Sequence, residues 1–216
     1  MREPPFVNTD RKREKTEDRR ERLSPVVARI YAEKGYDRTT TAEIARRCEL
    51  QPNELFRLWP DKRTMFAESI RTVFDLTISA WSRVLKESPA DSSATAAERL
   101  LTWQAADHGH EGFYTVVFSA LLNADDPKIR REIKSLYKGF HRVISDLVVD
   151  HESASDCSSR SEGLTPSVIA WAVIGIGMIA DAQRSLGLAS KSARSQTITS
   201  VGSVLLSHAH AQRPPP

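Results

Sequence analysis

The sequence predicts an all-α protein, with an amino-terminal three-helix head followed by a larger helical domain. Three observations support this fold class. Three short helical patterns follow one another between residues 22 and 62, with a tight turn between the second and the third. Further helical patterns fill the rest of the chain up to about residue 208. With 216 residues, 40% of them apolar, the chain can bury the core of one small and one larger domain.

The first three patterns indicate a helix-turn-helix unit. Apolar residues repeat at i, i+3, i+4 and i+7 from Leu23, and Gly35 ends this helix because glycine takes the left-handed conformation without steric cost. Thr40 and Glu43 predict a capping box that opens a second helix, from residue 41 to about 48. Pro52 suits the first position of a third helix. Such a unit presents the outer face of its third helix to a DNA major groove.

Residues 22–66 resemble the amino-terminal domain of TetR-type transcriptional regulators. The stretches AEKGYDRTTTAEIA and LQPNELFRLWPDK correspond to the F-A-x-x-G, T-T/S-x-x-x-I-A and V-S-x-G-x-L-Y-x-H-F-x-x-K segments of that family. The rest of the chain resembles the family only in length and helical character. The resemblance implies a DNA-binding head, and a carboxy-terminal domain that binds an apolar or amphipathic effector and then lowers the affinity for DNA.

Four departures from the family pattern bear on the fold and on DNA affinity. Proline inside a helix costs about 3 kcal/mol, so at Pro25 we expect either a cap by Ser24 or a kink. Glu49 stands where the family turn has Gly, and a positive φ there would cost it about 1–2 kcal/mol. Phe56 and Leu58 stand where the family commonly has Tyr and His or Tyr. Those side chains donate hydrogen bonds to phosphates, whereas Phe and Leu cannot.

The predicted DNA interface combines residues that face bases with residues that hold phosphates. Gln and Asn side chains suit adenine and Arg suits guanine, which favours base contacts from the third helix. Threonines at the start of the second helix, and a lysine at a position that the family uses on phosphate, would set the register on DNA. The predicted interface consists of Thr40, Thr41, Gln51, Pro52, Asn53, Phe56, Arg57 and Lys62.

The net charge of +3 falls in the amino-terminal end of the chain. Residues 1–62 carry fifteen Lys and Arg against twelve Asp and Glu, whereas residues 63–216 carry sixteen of each. This surplus is modest, and a solvated surface explains it as well as DNA binding does. Residues 1–21 are predicted to be a disordered charged arm. Its basic residues would either stay in solvent, which the interleaved acidic residues favour, or reach along DNA.

Residues 67–210 are predicted to form a helical domain for effector binding and dimerisation, followed by a disordered tail over 211–216. A fourth helix from Lys62 to about Glu87 would join this domain to the head. Connectors are expected over residues 89–93 and 151–163. Further helices are expected over about 96–106, 111–123, 126–149, 165–186 and 190–208.

The last two helices predict a homodimer. Between Val168 and Ile179 the chain is apolar on nearly every helical face, and such a helix must be buried on every face. Two copies could form a four-helix bundle, which would set two heads on half-sites about 34–36 Å apart. A central core helix in a monomer is the alternative. The predicted interface consists of Val168, Trp171, Gly175, Met178, Ile179, Ile198, Val201 and Leu205.

An effector pocket is predicted among the helices of the larger domain, because pockets between helices are mostly apolar and aromatic. Each large aromatic residue taken alone is more often ordinary core. Asp181, near the end of an apolar helix, would be either a polar contact in the pocket or an interface residue. The predicted pocket consists of Trp81, Trp103, Phe113, Tyr114, Phe118, Phe140, His141 and Trp171.

Catalysis and metal binding find little support in the sequence. The best candidate is the DHGHE stretch at residues 107–111, which lies in a Gly-containing loop and lacks a spacing that would put two ligands on one helical face. A polar connecting loop is the favoured interpretation. We therefore expect no enzyme, no cofactor and no metal. A helical adaptor or small-molecule-binding protein with a degenerate head, and a metal-dependent helical enzyme, are the alternatives.

A reduced, cytoplasmic protein is the expected setting. The two cysteines, Cys48 and Cys157, have no metal-binding spacing. The first twenty residues are charged and do not resemble a signal peptide. The apolar run 168–180 has thirteen residues and is predicted to be too short to span a bilayer. The predicted partners are operator DNA, a second copy of the chain and a small-molecule effector, with no membrane.

Overall fold

The computed structural model describes residues 15–87, 93–109, 111–154 and 163–209, and it is all-α there, as predicted. The described residues form nine helices. They are α1 (Thr16–Arg38), α2 (Thr41–Arg47), α3 (Pro52–Leu58), α4 (Lys62–Glu87), α5 (Ala96–Asp107), α6 (Tyr114–Leu122), α7 (Pro127–Ala154), α8 (Pro166–Ser185) and α9 (Lys191–Ser207).

Helix α1 begins earlier than the sequence pattern predicted. Residues 16–21, which we expected to belong to a disordered arm, are helical, while residues 1–14 lie outside the described residues. Two arginines hold this first turn against the head. Arg19 Nη1 donates to Glu54 Oε1 of α3 at 3.0 Å, and Arg20 Nε donates to Glu68 Oε2 of α4 at 2.7 Å. The acidic partners lie far away in sequence, which is why a local charge pattern did not reveal them.

Pro25 does not start α1, so the expected cap by Ser24 was wrong, and the backbone around Pro25 keeps helical dihedral angles. The helix continues through Pro25, and Ser24 acts inside the helix instead of capping it. The Ser24 hydroxyl lies 2.8 Å from the carbonyl oxygen of Arg20 and 2.5 Å from Glu68 Oε1. The carbonyl that Pro25 leaves without a donor belongs to Glu21, which is exposed and therefore accessible to water.

Gly35 breaks the helical conformation, as predicted. Its φ of 76° and ψ of −179° are essentially restricted to glycine. The site also requires glycine for space, because a Cβ added there would lie 2.6 Å from Ser119 Oγ of α6. The Tyr36 N–H, one residue later, donates to the same Ser119 hydroxyl at 3.4 Å. The end of α1 is thus a point of close contact between the head and the larger domain.

The turn between α2 and α3 has the predicted strain. Glu49 has a φ of 56°, in the left-handed region that the family's glycine would occupy without cost. The predicted capping box at the start of α2 is half formed. Thr40 Oγ1 accepts from the Glu43 N–H at 3.2 Å, but the Glu43 carboxylate accepts from Lys34 Nζ at 2.6 Å. Pro52 is the first residue of α3, as predicted.

The core of the head continues into the larger domain. Ile44, Leu55 and Trp59 pack with Tyr31 and Phe66 in one buried cluster, which extends through α4 to α6 and α7. The predicted domain boundary between residues 66 and 67 therefore does not separate two hydrophobic cores. It separates a predicted DNA-binding part from a predicted effector-binding part, and that functional division stays a prediction. In the larger domain, α7 packs against α4 and α8, while α9 packs against α5 and α8.

Several boundaries in the larger domain differ from the prediction. Helix α6 begins at Tyr114 rather than at residue 111, and α7 continues to Ala154, so residues 151–154 are helical instead of part of a connector. The remaining connector residues 155–162, and residues 88–92 of the other predicted loop, lie outside the described residues. The side chains of Thr165 and Ser190 cap α8 and α9, and Gly187 has a left-handed φ of 66° after α8.

By length and composition alone, helix α8 is apolar enough to cross a membrane, although the thirteen-residue run within it was predicted to be too short. Among the described residues, only Pro166–Ser185 has this property, and 22% of its most apolar stretch is buried within this chain. The core helix of a soluble protein can have the same length and composition. Asp181, near its end, is completely buried.

Candidate DNA-binding face and effector cavity

The recognition helix α3 divides its residues between a buried and an exposed side. Leu55 and Leu58 are buried, whereas the predicted DNA contacts Gln51, Pro52, Asn53, Phe56 and Arg57 are all exposed. Helical periodicity accounts for this division in a helix of only seven residues. The structure thus brings the predicted base-facing residues onto one surface.

The two apolar departures from the family pattern lie on opposite sides of α3. Leu58 packs into the core of the head, so it was wrong to regard this position as part of the phosphate-contacting surface. Phe56 lies on the outer surface with 46% of its area exposed. An aromatic side chain at that place can contact a thymine methyl group or a sugar, but it cannot donate a hydrogen bond to a phosphate.

The predicted phosphate contacts lie at the starts of α2 and α4. Thr40 is exposed and Thr41 is half-buried. Lys62 Nζ lies 4.3 Å from the centroid of the Tyr36 ring, a cation–π contact, and burial lowers the pKa of Lys62 below its usual value. The Tyr36 ring therefore holds the Lys62 side chain in a defined direction beside the recognition helix.

A cavity of about 560 Å³ lies in the larger domain, between α4, α5, α6, α7, α8 and α9, with Arg29 of α1 also in its lining. Pockets of this size accommodate drug-sized molecules. Five of the eight predicted pocket residues line it, namely Trp81, Trp103, Phe113, Tyr114 and Phe140.

The other three predicted pocket residues do not line the cavity. On α6, Tyr114 and Val117 face it, and Phe118 projects to another side because one residue turns a helix by about 100°. His141 Nε2 lies 3.0 Å from Ser167 Oγ, and its ring packs against Trp171 at a centroid distance of 4.9 Å. Trp171 is half exposed on the outside of α8. The aromatic composition could not distinguish the two sides of these helices.

A buried polar group at the cavity is His108, which we had assigned to a polar connecting loop. Its side chain is 5% exposed. His108 Nε2 lies 3.0 Å from both Asp181 Oδ2 and the carbonyl oxygen of Gly177 on α8. His108 Nδ1 lies 2.6 Å from Gln104 Nε2 and 3.5 Å from the Tyr114 hydroxyl. The only sequence signal was the polar DHGHE stretch between two apolar helices, and it did not identify the partner on α8.

Burial controls the electrostatics of this cluster. Burial raises the pKa of Asp181, and the hydrogen bond from His108 opposes that shift. Burial, and then the charge of Asp181, raise the pKa of Tyr114, so its hydroxyl stays protonated. Arg184 donates to the carbonyl oxygen of Gly109 and adds a positive charge at the same end of the cavity. A Cβ added at Gly109 would lie 2.7 Å from Asp181 Oδ1, so glycine lets the loop approach α8.

The remaining acidic residues of the DHGHE stretch do not form a metal site. Glu111 Oε2 lies 3.1 Å from Arg29 Nη2 of α1, in an ion pair that links the loop to the head. Within the described ranges, no group of three or more His, Cys, Asp or Glu could hold a metal ion. His110 lies outside those ranges.

The outer face of α8 and α9 carries a stripe of exposed apolar residues. Val168, Trp171, Ile179 and Val201, from the predicted dimer interface, are exposed, and a Cβ added at Gly175 would have no neighbour within 4 Å. Val204 extends this stripe and was missed by the sequence analysis.

Three residues of the predicted dimer interface face inward instead. Met178 lines the cavity, and its sulfur accepts from the Tyr137 hydroxyl at 3.3 Å. Ile198 is buried against Ala105 of α5, and Leu205 packs on the cluster between α7 and α8. Helices α8 and α9 thus each turn one face towards the interior of this chain. The sequence did not indicate which face, because α8 is apolar on nearly every side.

An exposed recognition helix on a three-helix head, followed by a helical domain that encloses a cavity, defines a helix-turn-helix regulator architecture. The comparisons with known proteins agree with this class. Residues 28–69 match the family model of the bacterial regulatory proteins, tetR family. The amino-terminal domain therefore belongs to the tetR family, and the chain has the fold of the family's regulators, which confirms the resemblance found in the sequence. No curated protein matches the chain in sequence.

Solved structures match nearly the whole chain at low sequence identity. A TetR-family transcriptional regulator from Cytophaga hutchinsonii is similar over 93% of this chain and 98% of its own, with 13% identity and a TM-score of 0.72. A protein described as a transcriptional regulator from Saccharomonospora viridis, in complex with choline, covers 89% and 97%, with 15% identity and a TM-score of 0.69. FadR from Bacillus subtilis, in complex with stearoyl-CoA, covers 88% and 99%, with 15% identity and a TM-score of 0.63.

Proposed function

We propose that this protein is a cytoplasmic, homodimeric transcriptional repressor that binds a palindromic operator and releases it when an effector enters the cavity. The observation that best supports this proposal is the exposed surface of α3. The buried side chains of Leu55, Leu58 and Trp59 anchor this helix in the core of the head, while its polar residues stay in solvent. We further infer that the protein acts by binding, without enzymatic activity.

In this proposal, α3 enters the major groove of the operator. Gln51 and Asn53 would face adenine, and Arg57 would face guanine, because these side chains match the donor and acceptor pattern of those bases. Thr40, Thr41 and Lys62 would contact phosphates and fix the register. Phe56 would add an apolar contact to a thymine methyl group or to the sugar-phosphate backbone.

The dimer would form through α8 and α9 of two copies. Their shared stripe combines Val168, Trp171, Ile179 and Val201 with the open approach at Gly175. A contiguous apolar surface on a soluble protein favours association, and a two-fold axis would bring the same stripe of both copies together. Two heads would then meet two half-sites of the operator.

The loop between α5 and α6 would couple the cavity to the head. His108 attaches this loop to Asp181 of α8, and Glu111 attaches it to Arg29 of α1. Helix α6 then meets Gly35 at the end of α1 through Ser119. An effector that binds one arrangement of these contacts better than the other would shift the population of head positions by that difference in affinity. The choline and stearoyl-CoA complexes of similar folds support ligand binding in such a domain.

The proposal is tested by quantitative binding to the intergenic DNA beside the protein's own gene, across a salt series. We expect binding that is selective for sequence, with a footprint of two half-sites. Arg57→Ala should lower specific affinity by about 5- to 100-fold, since a good base contact is worth about 1–3 kcal/mol, and should change non-specific binding much less.

The exposed Arg142 on α7 offers a matched control, because Arg142→Ala removes the same charge far from α3 in the chain and should leave both affinities unchanged. Equal losses of specific and non-specific binding in Arg57→Ala would remove Arg57 from the base-facing role. Binding that is indifferent to sequence and abolished by moderate salt would favour the second candidate, a small-molecule-binding or adaptor protein with a degenerate head. The strained Glu49 and the exposed Phe56 are the observations that favour that candidate.

A further inference from the structure

The cavity is elongated, and its long axis follows helices α4 and α7. These two helices run side by side in the same direction. Arg71 pairs with Glu132 at 3.3 Å, and further along both helices the ring centroids of Phe74 and Phe140 lie 5.0 Å apart. On α4 the cavity lining extends over residues 73–83, and ten residues of a helix span about 15 Å.

Helix α5 runs in the opposite direction and places two charged residues at opposite ends of the cavity. It begins beside the end of α7, where Thr95 Oγ1 lies 2.8 Å from His151 Nδ1. Arg83 lies near the end of α4 and therefore belongs to this end of the cavity. Asp107 is the last residue of α5, and the α5 lining from Ala97 to Asp107 again spans about 15 Å.

The end of the cavity at Asp107 lies next to the head and carries a surplus of negative charge. Arg29 of α1 and Glu111 also line this end, and they pair with each other at 3.1 Å, with side chains 60% and 48% exposed. Their charges therefore cancel at the rim. Among the described residues, half-buried Asp107 forms no ion pair and no side-chain hydrogen bond. Its carboxylate is thus left to attract a cation.

The His108 cluster at the same end offers no further group to a ligand. His108 Nε2 lies 3.0 Å from Asp181 Oδ2, and Nδ1 lies 2.6 Å from Gln104 Nε2, so both ring nitrogens are engaged within the protein. Asp181 is completely buried, and its charge interacts with Arg184 and Arg194. Neither His108 nor Asp181 is therefore available to a ligand.

Aromatic side chains line this end of the cavity from two helices. Trp103 precedes Asp107 by four residues on α5, so both lie on the same side of that helix, with Cβ atoms about 6 Å apart. Tyr114 of α6 also lines the cavity, and its ring centroid lies 4.9 Å from that of His108, the residue after Asp107. The faces of aromatic rings attract cations, because the ring quadrupole is negative there.

Negative charge and aromatic faces thus occur together at one end of a mostly apolar cavity. We infer that its ligand is an organic cation, whose positive group lies beside Asp107 with Trp103 and Tyr114, and whose apolar part extends along α4 and α7. An anion would have to use Arg83 at the other end, and Arg83 is exposed and already hydrated. The inference deepens the proposed function and rests on it in one respect, namely that this cation acts as the effector.

Three probes of similar shape test the inference: (3-hydroxyphenyl)trimethylammonium, 3-tert-butylphenol and 3-hydroxybenzoate. The first two are isosteric and differ by one positive charge, because a quaternary nitrogen replaces a carbon atom. Binding to the full-length protein without DNA is measured at pH 7 by calorimetry. We expect the cation to bind about tenfold more tightly than its neutral isostere, and the anion to bind more weakly than both.

Asp107→Asn keeps the shape of the side chain and removes its charge. It should reduce the preference for the cation over the isostere to about threefold or less, since the aromatic faces remain, and leave the affinity for 3-tert-butylphenol unchanged. Asp125→Asn is the matched control: it removes the same charge at an exposed site outside the cavity lining and should leave all three affinities unchanged. Trp103→Leu should weaken binding of the cation more than binding of the isostere.

The inference would be overturned if the isostere or the anion bound as tightly as the cation, if none of the probes bound, or if Asp107→Asn kept the full preference. Equal losses for cation and isostere in Trp103→Leu would overturn the contact with that ring.

These outcomes are distinct from failure of the proposed function, which is measured on DNA. If the cation bound selectively but left operator affinity unchanged, the effector role would fail while the ligand class would stand. If operator binding failed altogether, the order of the three probes would still decide the ligand class.

Discussion

The contact between Gly35 and Ser119 offers the sharpest prediction, because it joins the head to the larger domain and two separate effects meet there. In Gly35→Ala, the alanine must adopt φ 76° and ψ −179°, a conformation that is essentially restricted to glycine and costs about 1–3 kcal/mol for other residues. Its Cβ must also lie 2.6 Å from Ser119 Oγ, well inside van der Waals contact. The Ser119 hydroxyl can rotate away at the loss of its 3.4 Å hydrogen bond to the Tyr36 N–H, so this contact adds up to about 1 kcal/mol.

We therefore expect Gly35→Ala to lower the free energy of unfolding by about 1–4 kcal/mol, most of it from the backbone conformation. The second effect can be removed alone. Without its Oγ, residue 119 presents only its Cβ, 3.8 Å from the added methyl group, which is ordinary contact. Gly35→Ala combined with Ser119→Ala should regain the steric part, up to about 1 kcal/mol, and keep the backbone part. Ser119→Ala alone should cost little, since its hydrogen bond to the Tyr36 N–H is 3.4 Å long.

The assay is equilibrium denaturation of the four proteins, followed by tryptophan fluorescence and circular dichroism at one fixed protein concentration. A fixed concentration matters because dimerisation would contribute to the apparent stability. The coupling free energy of the double-mutant cycle isolates the steric effect. A double variant as unstable as Gly35→Ala, that is a coupling free energy near zero, would refute the steric part of this reasoning. A Gly35→Ala variant as stable as the parent would refute both parts.

Three further predictions concern other parts of the molecule. Ile179, 59% exposed on α8, should lie in the dimer interface, so Ile179→Asp should give a folded monomer in analytical ultracentrifugation. Leu122→Asp, at an 83% exposed site on α6, is the control and should leave the association state of the parent unchanged. Glu49→Gly should relieve the left-handed strain and raise the unfolding free energy by up to about 1 kcal/mol, with no gain at all arguing against strain in this turn. The pKa of Asp61 is lowered, and the largest cause is a hydrogen bond from the Thr64 N–H at 2.6 Å. The ionised Asp61 carboxylate therefore stabilises the fold above its unfolded-state pKa, and this contribution is lost as pH falls through its folded-state pKa. Asp61→Asn should accordingly flatten the acid side of the stability profile, and an unchanged acid side would contradict that linkage.

Local chemistry made the head predictable from sequence. Gly35, Thr40 and Pro52 each act within a few residues of themselves, so their roles as helix break, cap and first helical residue were predicted and confirmed. Glu49 was likewise predicted to be strained if the turn followed the family pattern, and it is. Helical periodicity in the larger domain gave the helices, and errors of a few residues remained at the ends of α6 and α7.

Pro25 shows where local rules were insufficient. Proline in a helix interior predicted a cap or a kink, yet α1 continues through it. Contacts of Arg19, Arg20 and Ser24 with acidic residues of α3 and α4 hold the early part of the helix in place. Those partners are 35 to 48 residues away in the chain, so no local pattern contained them.

The candidate sites also differ in how far local sequence could predict them. The sequence by itself determined the all-α fold, the helix-turn-helix head and the residues on the outer surface of α3, since helical periodicity and capping act over one or two turns. Only the tertiary structure decided which side of α6, α8 and α9 faces the cavity. It left Phe118 out of the cavity lining and turned Met178 and Ile198 towards the interior of the chain. It also paired His108 with Asp181 across 73 residues of sequence. Such a contact exists only once the helices have packed, because packing alone brings distant polar groups out of water and into hydrogen-bonding distance.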